Sequence, residues 1–205
     1  MDQDDKKERK RQEITEAARR VFSARGYHQA TMDEIAAEAG VAKGTLYLYY
    51  PSKAHLLLAC VREMMECLAK GMRDMLDEYE GKDVSPVEAI RHAIGIYLDH
   101  LNRNKEMLVT AIREGEAFAK EIGGEELRKE ILGHIWGYTE YVKEALERGM
   151  KSGVIKKGNP LIMALGLIGV AQNITMYHMY NRPDKDLTEL RDDIVDLVKD
   201  MILEK

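Results

Sequence analysis

Apolar positions return at intervals of three and four along most of the chain, the spacing of one helix face, and no stretch shows the strict alternation of a strand. Ile14, Ala17, Ala18, Val21 and Phe22 predict an amphipathic helix over about 7–24, with Gly26 just beyond its end. Thr31 and Glu34 form a capping-box pair, so a second helix is expected to start at Met32, with Met32, Ile35, Ala36 and Ala39 on its buried face. Gly40 offers the left-handed residue that lets this helix stop in a tight turn with Val41. A third helix is expected from about 42 to 50, because Pro51 pushes the residue before it out of the helical region. Helices this short are not stable alone. They need the first helix to pack on, and the three together make a small bundle.

Farther along, Leu56, Leu57, Cys60, Met64, Cys67, Leu68, Gly71, Met72, Met75 and Leu76 predict one long helix over about 52–80. Ser85, Pro86 and Glu88 repeat the start signals of cap, first-turn proline and acid, for a helix running to about 102. Asn104 caps the next, to about 121, where Gly123-Gly124 breaks the pattern. A long helix follows over about 125–151, with Leu127, Ile131, Ile135, Tyr138, Val142, Ala145 and Gly149 as its seam and Gly153 closing it. Asn159-Pro160 opens a segment of another kind, since Leu161 to Asn181 contains no charged residue. Its length alone fits a membrane span. Gln172, Asn173, Thr175 and His178 inside it, and the lack of aromatic and basic flanks, favour a buried helix that must be covered on every side. Leu187, Leu190, Ile194, Leu197 and Met201 form a heptad-like seam in the last helix, widened by Val198 and Ile202. The fold class is therefore all-α, with about nine helices.

Composition narrows the function. An apolar content of 45% over 205 residues allows a soluble globular protein of one large or two modest domains. The net charge of −5 argues against nucleic acid until it is divided along the chain. Residues 1–53 carry ten Lys/Arg against nine Asp/Glu, leaving 21 against 27 for the rest, so the first part is +1 and the remainder −6. The one dense basic cluster, Lys6 to Arg11, opens the first helix, where phosphate contact is plausible. Cys60 and Cys67 lie ~10 Å apart along one helix, too far for a disulfide. They read as buried thiols, with a redox role as the alternative. No apolar leader precedes the first helix, so the expected location is the cytoplasm. No Gly-rich phosphate loop, His-Glu-x-x-His or paired Cys-x-x-Cys is present, and His28, His55, His92, His100, His134 and His178 form no ligand spacing. Neither an enzyme, a metal site nor a cofactor is expected.

The second and third helices with their Gly-Val turn read as a helix-turn-helix, whose second helix enters the major groove by its N-terminal end. Lys43, Gly44 and Thr45 occupy that end. Lys43 can donate to guanine O6 and N7, Thr45 can hydrogen-bond or press its methyl on thymine, and Gly44 lets the backbone come close. Tyr47 and Tyr49 suit phosphate, and Lys53 adds a charge at the start of the next helix. Leu46 and Tyr50 are expected to pack inward.

The run from Ile14 to Lys53 resembles the DNA-binding domain of the tetracycline-repressor (TetR-like) family of bacterial regulators. The resemblance rests on Ala17-Ala18, Phe22, Gly26-Tyr27, Thr31, Ile35-Ala36, Ala39-Gly40-Val41, Gly44-Thr45-Leu46-Tyr47, Tyr49-Tyr50 and Ser52-Lys53 in that order and spacing. Ala54-His55 stand where the family often has acidic residues, and Tyr50 where it often has Phe. The resemblance implies that Thr31 also touches a phosphate. It further implies a DNA-binding domain over 1–53 and an effector-binding and dimerisation domain over 54–205.

The family pattern also implies that the last two helices of each subunit make an intersubunit four-helix bundle. Ala164, Gly166, Gly169 and Ala171 give room for close approach, and Leu187, Leu190, Ile194, Leu197 and Met201 provide the seam. Such a homodimer spans two half-sites of an inverted-repeat operator in double-stranded DNA. A small, hydrophobic effector is expected in the second domain. Its candidate contacts are Tyr97, Met107, Arg113, Phe118, Trp136, Tyr138, Asn173, Met176 and Tyr177, with Arg113 and neighbouring Glu114 offering charge to a ligand or, as the alternative, to a structural ion pair. The twelve Met residues suit an adaptable pocket. The function expected is a ligand-responsive transcriptional repressor. The alternatives are an activator with the same sequence logic, or a helical protein-interaction module that no longer reads DNA.

Overall fold

The computed structural model describes residues 3–203 except 80, 83, 114–119 and 123, and gives side chains within them except at 3, 124, 126–132 and 134–136. Among the described residues the elements are nine α-helices and one 3-10 turn. They are α1 (Gln3–Gln29), α2 (Met32–Glu38), α3 (Lys43–Tyr49), α4 (Lys53–Tyr79), α5 (Pro86–Arg103), α6 (Lys105–Arg113), α7 (Gly124–Ser152), α8 (Pro160–Asn181), the turn Leu187–Leu190, and α9 (Arg191–Ile202). The chain divides into two compact units. The first is 1–65 with 104–130, and the second 66–103 with 131–205.

In the first unit α1 is interrupted at Gly26, whose φ of 73° is left-handed, so the regular helix stops where the glycine predicts. Ile14, Ala17, Ala18 and Phe22 have no exposed surface, while Val21 sits at the edge of the buried face. Met32, Ile35 and Ala36 of α2, Leu46 of α3, Leu56, Leu57, Cys60 and Met64 of α4, and Met107 of α6 are buried with them in the core. Asn104 Oδ1 accepts a hydrogen bond from Arg19 Nη2 at 2.9 Å, which ties the start of α6 to α1. The helix expected from Asn104 to about 121 is described to Arg113 and again, as helical, at 120–121, while Glu114 and Phe118 lie outside the described residues.

In the second unit Ser85 Oγ accepts from Glu88 N at 3.2 Å, and Asn159 Oδ1 accepts from Leu161 N and Ile162 N at 3.1 and 3.2 Å. Both caps stand where the sequence signals them. Gly153, at φ 77°, ends α7, with Val154 N donating to Gly149 O at 3.0 Å. The seam expected for α7 is described at Tyr138, Val142, Ala145 and Gly149, all half-buried. The side chains of Leu127, Ile131 and Ile135 lie outside the described set.

Two expectations are corrected here. Cys60 is buried but Cys67 is exposed. The buried line of α4 follows the i, i+4 ridge through Cys60, Met64, Leu68 and Met72, and Cys67 lies one residue off it, roughly 100° around the helix. The expected last helix begins instead as the 3-10 turn, whose start Asp186 Oδ1 caps by accepting from Thr188 N at 2.8 Å.

Candidate nucleic-acid interface

The turn between α2 and α3 is built by backbone geometry that the sequence dictates. Thr31 Oγ1 accepts from Glu34 N at 3.2 Å, and Thr31 N donates to Glu34 Oε2 at 3.0 Å, so α2 starts with a complete capping box. At its other end Gly40 has φ 63°, Gly40 N donates to Ala37 O at 3.1 Å and Val41 N to Ala36 O at 2.9 Å. This pair of bonds is a Schellman motif, which satisfies the last carbonyls and reverses the chain. Arg20 pairs with Glu38 at 2.7 Å and Arg25 with Glu34 at 2.8 Å, which fastens α2 along α1.

Leu46 is completely buried and Tyr50 nearly so, as expected, and these two anchor α3 against the bundle. The other side of α3 faces solvent. Lys43, Gly44, Tyr47 and Leu48 are exposed, and Thr45 and Tyr49 are half-buried. Residues 44, 47 and 48 stand at i, i+3 and i+4, so they share one face with Lys43 at its leading edge. The structure therefore brings Lys43, Gly44, Thr45 and Tyr47 together.

Gly44 has no internal reason to be glycine. Its φ is not positive, and a Cβ built on it meets nothing within 4 Å. A glycine inside a helix costs about 1 kcal/mol relative to alanine. The space it leaves open is on the outside, where a partner's surface can approach the backbone.

The charged residues are less free than the sequence implies. Lys43 Nζ lies 2.6 Å from Asp33 Oδ1, and that hydrogen-bonded carboxylate raises the Lys43 pKa. Lys53 points inward: its Nζ donates to the carbonyl oxygens of Tyr27 (2.6 Å), Ala30 (2.8 Å) and His28 (3.3 Å), and sits 4.4 Å from the centre of the Tyr27 ring. It caps the irregular end of α1, a role within the domain beside the phosphate contact expected of it. Thr31 remains exposed at the start of α2.

Of the expected effector contacts, Tyr97 on α5 and Tyr138 on α7 belong to one neighbourhood. Tyr97 Oη lies 3.0 Å from Thr175 Oγ1 on α8, and Thr175 also donates to the carbonyl oxygen of Ala171 at 2.9 Å. Burial of its phenolic end pushes Tyr97 up to about 12, with the Thr175 bond opposing, and burial pushes Tyr138 higher still. The sequence offers Thr175 only as a polar residue of the charge-free helix; that it meets Tyr97, 78 positions away in the chain, appears in the structure alone. Met107 and Arg113 belong to the first unit, the former buried and the latter exposed. The side chains of Phe118 and Trp136 lie outside the described set. An open cleft of about 480 Å³ in the second unit, lined by Tyr79, Val84, Arg91, Ile96, Asp99 and Arg191 among others, mixes charged and apolar groups and takes none of the expected contacts.

Asn173, Met176 and Tyr177 stand elsewhere, on the exposed side of α8. The buried side of that helix is Ala164, Ile168, Thr175 and Met179, while Ile162 (67% exposed), Leu165, Met176, Tyr177 and Tyr180 face outward. Gly169 lies on the outward stripe with nothing near its Cβ position, and Gly166 meets Met201 Cε at 3.8 Å. On α9 Leu197 is exposed and Met201 half-buried, as is Leu190 in the preceding turn. Leu187 and Ile194 are buried inside this chain at 1% and 0% exposure, so the seam expected between subunits is divided between an inner and an outer face.

Comparison with known proteins agrees with this geometry. Residues 14–60 match the family described as bacterial regulatory proteins, tetR family. The chain is 28% identical over 189 residues to the fatty acid metabolism regulator protein of Bacillus subtilis, covering 91% of this chain and 92% of that one. It is 30% identical to the uncharacterized HTH-type transcriptional regulator YhgD of the same organism, over 76% of each chain. Its fold superposes on the transcriptional regulator FadR from Bacillus subtilis, solved in complex with stearoyl-CoA, with a TM-score of 0.70 and 25% identity over 91% of this chain and 96% of that one. The chain belongs to the TetR family of helix-turn-helix transcriptional regulators.

Proposed function

We propose that the protein is a cytoplasmic repressor that binds an inverted-repeat operator as a homodimer and leaves it when a long-chain fatty acyl thioester binds its second unit. The observation that carries DNA reading is the outward face of α3. Lys43, Gly44, Thr45 and Tyr47 meet there, and Gly44 answers to nothing inside the chain. Lys43 and Thr45 supply the base contacts, and Tyr47, Tyr49 and Thr31 the phosphate contacts.

The dimer is supported by α8. This helix is long and apolar enough to cross a membrane, yet it carries one buried face and one outward apolar stripe. That is the pattern of a helix half-covered by its own chain and half by a second copy. Ile162, Leu165, Gly169, Met176 and Tyr180, with Leu197 of α9, form the proposed contact.

The effector class follows from the relative solved with stearoyl-CoA and from the likeness to a fatty acid metabolism regulator. Tyr97, Tyr138 and Thr175 are proposed to orient it, their hydroxyls giving direction within a largely apolar interior. A ligand that prefers the DNA-incompetent arrangement by ~1–3 kcal/mol changes operator affinity about 5- to 150-fold. Titration of a fluorescent operator complex with stearoyl-CoA, beside free coenzyme A, tests this. Release by the acyl thioester alone supports it, and equal anisotropy with both refutes the effector class.

A further inference from the structure

Leu48 is 86% exposed, the highest value among the large apolar side chains described. Apart from Tyr47, the other members of that set cluster in the second unit, on α8, α9 and the loop before α8. Among the large apolar side chains described in the first unit, only Leu48 and Tyr47 are exposed, and Tyr47 at half the value of Leu48. At that exposure the described residues leave this leucine almost wholly uncovered. Lysine, glutamine or glutamate would suit the helix about as well and would suit water better.

Its place on α3 gives the reason. Leu48 follows Gly44 by one turn, beside Tyr47 and on the face that begins with Lys43. The bare backbone at Gly44 lets this face come close to whatever it meets, and Leu48 is then the apolar group carried in with it. The floor of the major groove offers hydrogen-bonding edges and one apolar feature, the thymine C5-methyl.

We infer that Leu48 is a specificity residue that packs against a thymine methyl in each operator half-site. The inference rests on the DNA-reading role proposed for α3. It adds a reader that makes no hydrogen bond: cytosine, which lacks the methyl, leaves the leucine against polar edges.

The test uses the full-length protein and a duplex that it selects from a random pool. Each thymidine is replaced in turn by deoxyuridine, which removes only the methyl, and affinities are measured for the wild type and for Leu48→Ala. Leu48 is exposed, so the variant folds as the parent does. At one position per half-site the wild type is expected to lose about fourfold, the worth of one buried methyl, while Leu48→Ala loses nothing further there. Equal losses for both proteins at every position, or no loss for the wild type anywhere, overturn the role of Leu48 and leave α3 as the reader. Failure of the wild type to select any duplex overturns both.

Discussion

Lys43 Nζ and Asp33 Oδ1 lie 2.6 Å apart across the turn that joins α2 to α3, so the cation heading the proposed recognition helix already has a partner. Both side chains are exposed, and such pairs are weak and screened by salt. DNA must compete with Asp33 for Lys43. Asp33→Asn is therefore expected to tighten duplex binding about 3- to 10-fold at low salt. The gain should shrink as salt rises, in anisotropy titrations. Unchanged affinity at every salt concentration would mean that Lys43 does not approach the duplex.

Gly44→Ala separates folding from binding. With open space around the Cβ position, the added methyl raises stability by up to about 1 kcal/mol through helix propensity. The same methyl holds the groove away and lowers operator affinity by ~10-fold or more, about 1.4 kcal/mol. Urea denaturation and anisotropy on the same preparation check both halves.

Gly40→Ala acts in the opposite sense. Its φ of 63° places a side chain in the left-handed region, costing about 1–2 kcal/mol. The Schellman turn loosens, and both the thermal midpoint and DNA binding are expected to fall together.

Tyr97 links stability to alkaline pH. Its folded pKa, about 12, is above the usual phenol value near 10, so the unfolded chain gives up its proton first. The contribution is complete below pH 10 and is lost as pH rises from about 10 to 12. Tyr97→Phe should flatten that fall in urea midpoints over pH 9–11.5, and an unaltered slope would place the phenol in water.

The outward stripe of α8 is tested by Leu165→Glu. Placing a charge among Ile162, Met176 and Tyr180 is expected to convert a dimer to a monomer in light scattering at micromolar concentration, with helix content retained. A wild-type monomer at that concentration would remove the dimer altogether.

Local signals in the sequence translated directly into structure. Thr31 with Glu34, Gly40, Ser85 and Asn159 each act through backbone groups a few residues away, so their partners are determined by covalent neighbourhood. The inward packing of Leu46 and the outward position of Lys43 and Tyr47 followed from helix periodicity. What periodicity does not carry is which of two apolar faces meets which surface. Leu187 and Ile194 turn into their own chain while Leu165 and Leu197 turn out, though all are apolar residues at helical spacing. Lys53 appears in the sequence as a spare cation, and only the irregular end of α1 shows that three carbonyls await it. Leu48 was legible in principle: once Leu46 is buried, the residue two positions on must face elsewhere.

The most direct test of the account is an anisotropy titration of the full-length protein on its pool-selected duplex and on a scrambled duplex of the same composition at physiological salt. Sequence reading by α3 predicts at least ~10³-fold tighter binding to the selected duplex. Equal affinity for the two would contradict it, leaving a helix-turn-helix that touches DNA only through its phosphates.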